Sequence, residues 1–156
     1  TGLYNKETTE QLTDELLSED ENKYHAFLIL DVDCFKQIND IYGHAVGDIV
    51  LQKFGKLLKG TFREGDILGR IGGDEFGVIM KNIQTKDIAM KKAEELLAKT
   101  QAYKIDELKG NNISISIGIS TAPQDGDCYM DLYKRADQAL YQAKRSGKAR
   151  VCNYFS

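Results

Sequence analysis

Two short stretches carry residue types that could handle a metal-bound phosphate. In Arg70-Ile71-Gly72-Gly73-Asp74-Glu75-Phe76-Gly77-Val78-Ile79-Met80, two glycines sit between apolar runs and two acids follow at once. A Gly-Gly pair in that setting predicts a hairpin, because both turn residues can adopt positive φ without steric cost. The tip would offer bare N–H groups that a phosphate can approach. Beside them stand carboxylates able to hold the Mg2+ that neutralises it. Such a tip suits a nucleoside triphosphate with its metal, although an ordinary exposed turn has the same composition. The second stretch is Asp31-Val32-Asp33, at the end of the apolar run Ala26 to Leu30. Residues two apart on a strand share a face, so the two carboxylates are expected to emerge together. A strand apolar on both sides is pinned in the core, which gives a metal ligand a rigid mount.

The elements that must position these groups are legible as periodicities. Lys6 to Asn22 reads as an exposed helix with a narrow stripe of Leu12, Leu16 and Leu17, and Thr8 with Gln11 as its capping box. Tyr24 to Asp33 reads as a central strand, and Phe35 to Tyr42 as a short helix stopped by Gly43. Val46, Ile49, Val50, Phe54, Leu57 and Leu58 mark an amphipathic helix running to about Lys59. Ile67 to Met80 is the hairpin. A helix marked by Ile88, Ala89, Ala93, Leu96 and Leu97 follows, and then a polar connection from Tyr103 to Asn112. Ile113, Ile115, Ile117 and Ile119 alternate with Ser114, Ser116, Gly118 and Ser120, giving a strand with one greasy face and one small face. Pro123 to Asp127 reads as a turn. Leu132 to Ala143 marks a last helix ending at Gly147, and Val151 to Phe155 an edge strand. This order predicts an α+β fold with a mostly antiparallel central sheet, and helices mainly on one face of it.

Size and composition set the outer bounds. The 156 residues make one domain, 1–156, large enough for a real core. A hydrophobic content of 42% with 29% charged residues is ordinary for a globular chain. A net charge of −3 argues against a nucleic-acid partner or contact with an anionic membrane. Cys34, Cys128 and Cys152 fit neither a disulfide framework nor a zinc site, so reduced thiols and a cytoplasmic setting are expected. No apolar run approaches a membrane span. The abrupt start at Thr1-Gly2-Leu3 suggests a domain cut from a longer protein, which could itself be membrane-anchored.

Taken together, the motifs resemble those of the GGDEF family of diguanylate cyclases, nearly end to end. Gly72-Gly73-Asp74-Glu75-Phe76 is similar to its naming hairpin, with Asp in the third position as a usual variant. Thr1 to Asn5 resembles its opening turn. Asp31 to Asp40, followed by Tyr42-Gly43-His44 and Gly47-Asp48, resembles its nucleotide segment, and Ala139 to Lys144 with Gly147 its closing helix. The resemblance implies a fold like that of nucleotidyl cyclase and polymerase palm domains. It also implies condensation of two GTP to cyclic di-GMP with release of pyrophosphate. Two domains would face each other as a homodimer, with an upstream sensory region in the full-length protein.

On that basis Asp31, Asp74 and Glu75 with the Val32 carbonyl are expected metal ligands for Mg2+, with Mn2+ as the substitute. Asp74 and Glu75 are the catalytic pair, Glu75 completing the metal shell or assisting removal of the 3′-hydroxyl proton. Phe35, Lys36 and Gly73 would cradle the triphosphate, and Lys144 and Lys148, one helical turn apart, would add positive charge. Asn39 and Asp48 would select guanine, since a carboxylate left facing adenine would be partly unpaired. A capping amide and an early-helix acid are the bland alternatives for these two. Arg63 and Asp66 would form an Arg-x-x-Asp inhibitory site for the product, against the alternative of a weak surface ion pair. His44 is expected to be structural. The chain departs from the family where Lys148 replaces a frequent Arg, Ala149 a frequent Asn, and Cys34 a bulkier or polar residue. A catalytically silent domain that senses cyclic di-GMP or GTP is the competing reading.

Overall fold

A computed structural model describes residues 3–20 and 22–154. In chain order the elements are α1 (Lys6–Glu19), β1 (Tyr24–Val32), α2 (Phe35–Tyr42), α3 (His44–Thr61), β2 (Ile67–Arg70), β3 (Glu75–Ile83), α4 (Lys86–Ala102), β4 (Ile115–Ala122), α5 (Tyr129–Arg145) and β5 (Val151–Asn153). A single 3-10 turn at Asp106–Leu108 lies between α4 and β4. The five strands form one sheet in the order β2-β3-β1-β4-β5. Strand β1 is antiparallel to both β3 and β4, and only the β4–β5 pairing is parallel.

Helices cover both faces of this sheet, which corrects the expectation of mainly one. Ala26, Leu28, Leu30 and Val32 of β1 point to a core shared with Val50, Phe54 and Leu58 of α3 and Ala93 and Leu96 of α4. Phe27 and Ile29 point the other way, against Leu16 and Leu17 of α1 and Leu132, Ala136 and Leu140 of α5. The fully apolar run in β1 is the pattern of a strand covered on both sides. The Ile/Ser alternation of β4 serves the same end, and all eight of its residues are buried. At Gly118 a side chain would overlap the backbone of Ala136 and Leu140, so the small face exists to admit α5.

Three local expectations change. The cap of α1 is Asn5, whose side chain accepts a hydrogen bond from Thr8 N–H at 2.8 Å, while Gln11 reaches Glu15 instead of closing a capping box. The connection after α4 is less polar than it reads, because Ile105 and Leu108 are buried in the core. Neither Gly72 nor Gly73 has a positive φ. Four residues, Ile71 to Asp74, span the tip between β2 and β3, and both Ile71 N–H and Gly72 N–H donate to the Glu75 carbonyl. The opening turn expected at Thr1 to Asn5 is described only from Leu3 onward. There Tyr4 bridges Gly69 at the edge of β2.

Candidate active site at the end of the central strands

The antiparallel register sets Asp31 of β1 directly opposite Glu75 of β3. Both are odd-numbered neighbours of Phe27, Ile29, Gly77 and Ile79, so they lie on the face covered by α5. Asp74 is held beside them by the backbone. Val32 N–H donates to the Asp74 carbonyl at 3.4 Å, and the Arg70 guanidinium donates twice to the Gly73 carbonyl, at 3.1 and 2.6 Å. The register therefore brings positions 31 and 74–75 to the same end of the sheet, without closing all three carboxylates within ligand distance of one another.

The electrostatics follow from burial. Asp31 is 8% exposed. Burial pushes its pKa up to about 6; Lys144 works against the rise and Asp74 adds to it. Glu75 is raised chiefly by burial, partly offset by the hydrogen bond that Tyr133 Oη donates to it at 2.9 Å. The Lys144 ammonium donates to Asp31 Oδ2. Burial alone would lower Lys144, but contact with Asp31 outweighs that and leaves it raised. Asp31 Oδ1 is buried with no hydrogen-bond partner. A buried carboxylate oxygen without a donor is an acceptor that a cation could satisfy.

Asp33 does not join this cluster as a free carboxylate. It lies just past β1 and accepts from Ser114 Oγ and Ser116 Oγ at 2.7 Å each and from Ala149 N–H at 3.1 Å. It is a clamp joining three segments. Its neighbour Cys34 has φ 56° and offers no side-chain cap to α2. The first N–H groups of α2, at Phe35 and Lys36, thus receive no side-chain cap from it.

The remaining expected residues fall into three places. Lys148 is not one helical turn from Lys144 on the same helix, because α5 ends at Arg145. It sits in a left-handed turn, φ 63°, with Nζ 3.3 Å from Cys34 Sγ. Ala149 also has positive φ, 51°, a conformation that asparagine tolerates better. Asn39 and Asp48 lie at the crossing of α2 and α3. The Asn39 side chain caps neither helix, since the Gly43 N–H that closes α2 goes to the Asn39 main-chain carbonyl. Asp48 is exposed and beyond the first turn of α3, where the helix dipole has faded. His44 is exposed at the start of α3. Arg63 and Asp66 lie elsewhere, beside β2 and β3. Asp66 does pair with Arg63, whose Nη2 lies 3.3 Å from Asp66 Oδ1, but it is not itself a surface residue. Its side chain is 1% exposed and accepts from Arg63 N–H at 3.2 Å and Lys81 N–H at 3.1 Å. The Arg63 side chain is 59% exposed, and its guanidinium donates both to Asp66 Oδ1 and to the Lys81 carbonyl. A cavity of about 410 Å3 opens beside it, lined by Tyr4, Lys59, Phe62 and Leu68 among others.

Sequence reasoning missed Tyr133, which reads as part of the apolar stripe of α5 and shows no sign of its partner 58 residues away. It also missed the anchoring role of Arg70 and the Asp33 clamp. A larger cavity, about 970 Å3, opens between Met90, α5 and β5 and holds none of Asp31, Asp74 and Glu75.

Comparison with known proteins bears on the family and the fold. Residues 1–150 match the family model described as diguanylate cyclase, GGDEF domain, and the chain belongs to that family. It is 40% identical over 127 residues to diguanylate cyclase A of Treponema denticola, covering 81% of this chain and 34% of that protein. The GGDEF domain of TpbB (YfiN) from Pseudomonas aeruginosa superposes with a TM-score of 0.93 at 32% identity, covering 99% of this chain and 98% of that one. The GGDEF domain of DgcB from Caulobacter crescentus, solved in complex with c-di-GMP, gives 0.91 at 26% identity, covering 100% and 91%. The chain spans less than half the length of the curated relatives it matches.

Proposed function

We propose that this chain is the catalytic domain of a diguanylate cyclase, joining two GTP molecules into cyclic di-GMP and releasing pyrophosphate. The observation that carries the reading is the pairing of Asp31 with Glu75 across β1 and β3, with Asp74 held beside them and Asp31 Oδ1 left orphaned. A divalent cation, Mg2+ or Mn2+, suits this donor set. Asp31, Asp74, Glu75 and the Val32 carbonyl would hold it. When bound, it supplies charge neutralisation for the phosphates and stabilises attacking and leaving oxygens. The Lys144 ammonium donates to Asp31. In the loaded site this ammonium moves from Asp31 to the triphosphate, joined by Lys148, while Lys36, the α2 N–H groups and Gly73 cradle the chain of phosphates. A Cβ at Gly73 would meet nothing within 4 Å, so the approach to the tip is open. Asn39 and Asp48 read guanine. Glu75, made more basic by burial and oriented by Tyr133, is placed to assist loss of the 3′-hydroxyl proton.

Each domain carries one such site, so bond formation needs two domains facing each other, each 3′-hydroxyl attacking the partner's α-phosphate. Turnover then depends steeply on protein concentration. Incubating the chain with GTP and Mg2+ at several concentrations, with chromatographic detection of the dinucleotide, tests the reading. Product that rises faster than linearly with protein supports it; no dinucleotide at any concentration contradicts it. The exposed Arg63 guanidinium, aimed by the buried Asp66, is proposed as the grip on returning product. Arg63→Ala is expected to weaken cyclic di-GMP binding by about tenfold or more without changing the fold.

A further inference from the structure

We propose that Gly47 is a specificity-positioning residue: it leaves the space that seats the Asn39 amide for guanine recognition. This rests on the reading of Asn39 given above. Gly47 lies inside α3, where alanine is the better helix former. It has no positive φ that would call for glycine. What it has is a neighbour. A Cβ there would overlap Asn39 Oδ1 and come within 3.1 Å of Asn39 Cγ and 3.2 Å of Phe35 Cζ. Both neighbours belong to α2, and both face α3 across the helix crossing. Gly47 is buried, although Asp48 beside it is exposed. The Asn39 amide oxygen therefore occupies the space a side chain at position 47 would fill, and the missing methyl is what permits that rotamer. The obstructed atom is the end of a short, rotatable side chain. A methyl at position 47 is accommodated by swinging the amide out of its seat, leaving the helices packed as before.

This separates the proposal from a purely structural role. Loss of a packing glycine that admits backbone would destabilise the fold. Gly47→Ala here is expected to leave thermal stability unchanged or raised, because what must give is the Asn39 amide and, by a few tenths of an ångström, the tip of the Phe35 ring, and no backbone. The cost falls on recognition. An amide out of place forfeits its hydrogen bond to the base, about a tenfold loss in affinity for GTP over ATP. Of the groups proposed to cradle the triphosphate the methyl meets only the tip of the Phe35 ring, and neither Lys36 nor Gly73, so ATP affinity is expected to stay the same.

The test is equilibrium binding of GTP and ATP with Mg2+ to four proteins: wild type, Asn39→Ala, Gly47→Ala and the double variant, with melting curves for each. The expected result is that both single variants lose the same GTP-over-ATP preference and that the double variant loses no more than either. Melting temperatures would not fall with Gly47→Ala. Retention of the wild-type preference by Gly47→Ala, while Asn39→Ala loses it, overturns the role of Gly47 and leaves the site reading standing. Additive losses in the double variant, or a lower melting temperature for Gly47→Ala, also overturn it in favour of a packing role. If Asn39→Ala itself keeps the preference, the assignment of Asn39 as a base reader fails, and the inference about Gly47 falls with it.

Discussion

Replacing Asp31 with asparagine should stabilise the metal-free protein while destroying its response to metal. The Asp31 pKa stands at about 6 in the fold against an ordinary 3.8. A group whose folded pKa is raised contributes stability below its unfolded value and loses it as pH rises through the folded value. For Asp31 that window runs from 3.8 to about 6. About two pKa steps correspond to roughly 3 kcal/mol of penalty at neutral pH for keeping this carboxylate ionised and buried. An asparagine side chain at this position would carry no such penalty. The contact with Lys144 is already contained in the pKa of about 6, since it works against the rise. The net expectation for Asp31→Asn is a gain of roughly 2 to 3 kcal/mol in EDTA at about pH 7.5, vanishing near about pH 4. Urea unfolding at a series of pH values, with and without Mg2+, measures it. A variant less stable than wild type in EDTA above neutral pH, or one still stabilised by Mg2+ as wild type is, would refute the reasoning.

Other perturbations read different parts of the site. Asp33→Ala removes the acceptor for Ser114, Ser116 and Ala149, and chemical unfolding should show a loss of about 3 kcal/mol. Tyr133→Phe deletes the hydrogen bond that holds Glu75 down, so the Glu75 pKa rises further. The acid limb of the pH–rate profile should then move to higher pH, and an unmoved limb would remove Glu75 from the proton-handling role. Ala149→Asn places a residue that tolerates φ 51° where alanine is strained, and should raise stability by up to about 1 kcal/mol in thermal melts.

The sequence made the chemistry legible where rigid elements carry it. Asp31 follows a fully apolar strand and Asp74 follows a hairpin glycine pair, so each position was readable from its own neighbours. Their register was not. That Asp31 meets Glu75, and that Tyr133 and Lys144 arrive from α5, depends on pairings across 44, 58 and 113 residues, which no local pattern encodes. Fold class and element order were readable from period and punctuation, yet helices on one face was the wrong inference. The doubly apolar β1 already required two covered faces. The hairpin glycines were read for conformational freedom, but their φ values are ordinary. At Gly72 a Cβ would crowd Glu75 Cβ at 3.1 Å, while the space around Gly73 is open. That the Asp66 side chain is buried and accepts from Lys81 N–H was not readable from its three-residue spacing to Arg63.

Catalysis as proposed requires acids from two strands to act on one cation. Titrating Mn2+ by electron paramagnetic resonance, in the presence of a non-hydrolysable GTP analogue, tests this most directly. Asp31→Ala and Asp74→Ala are each predicted to abolish the same bound-Mn2+ signal. Full retention of that signal in either variant would contradict the shared site.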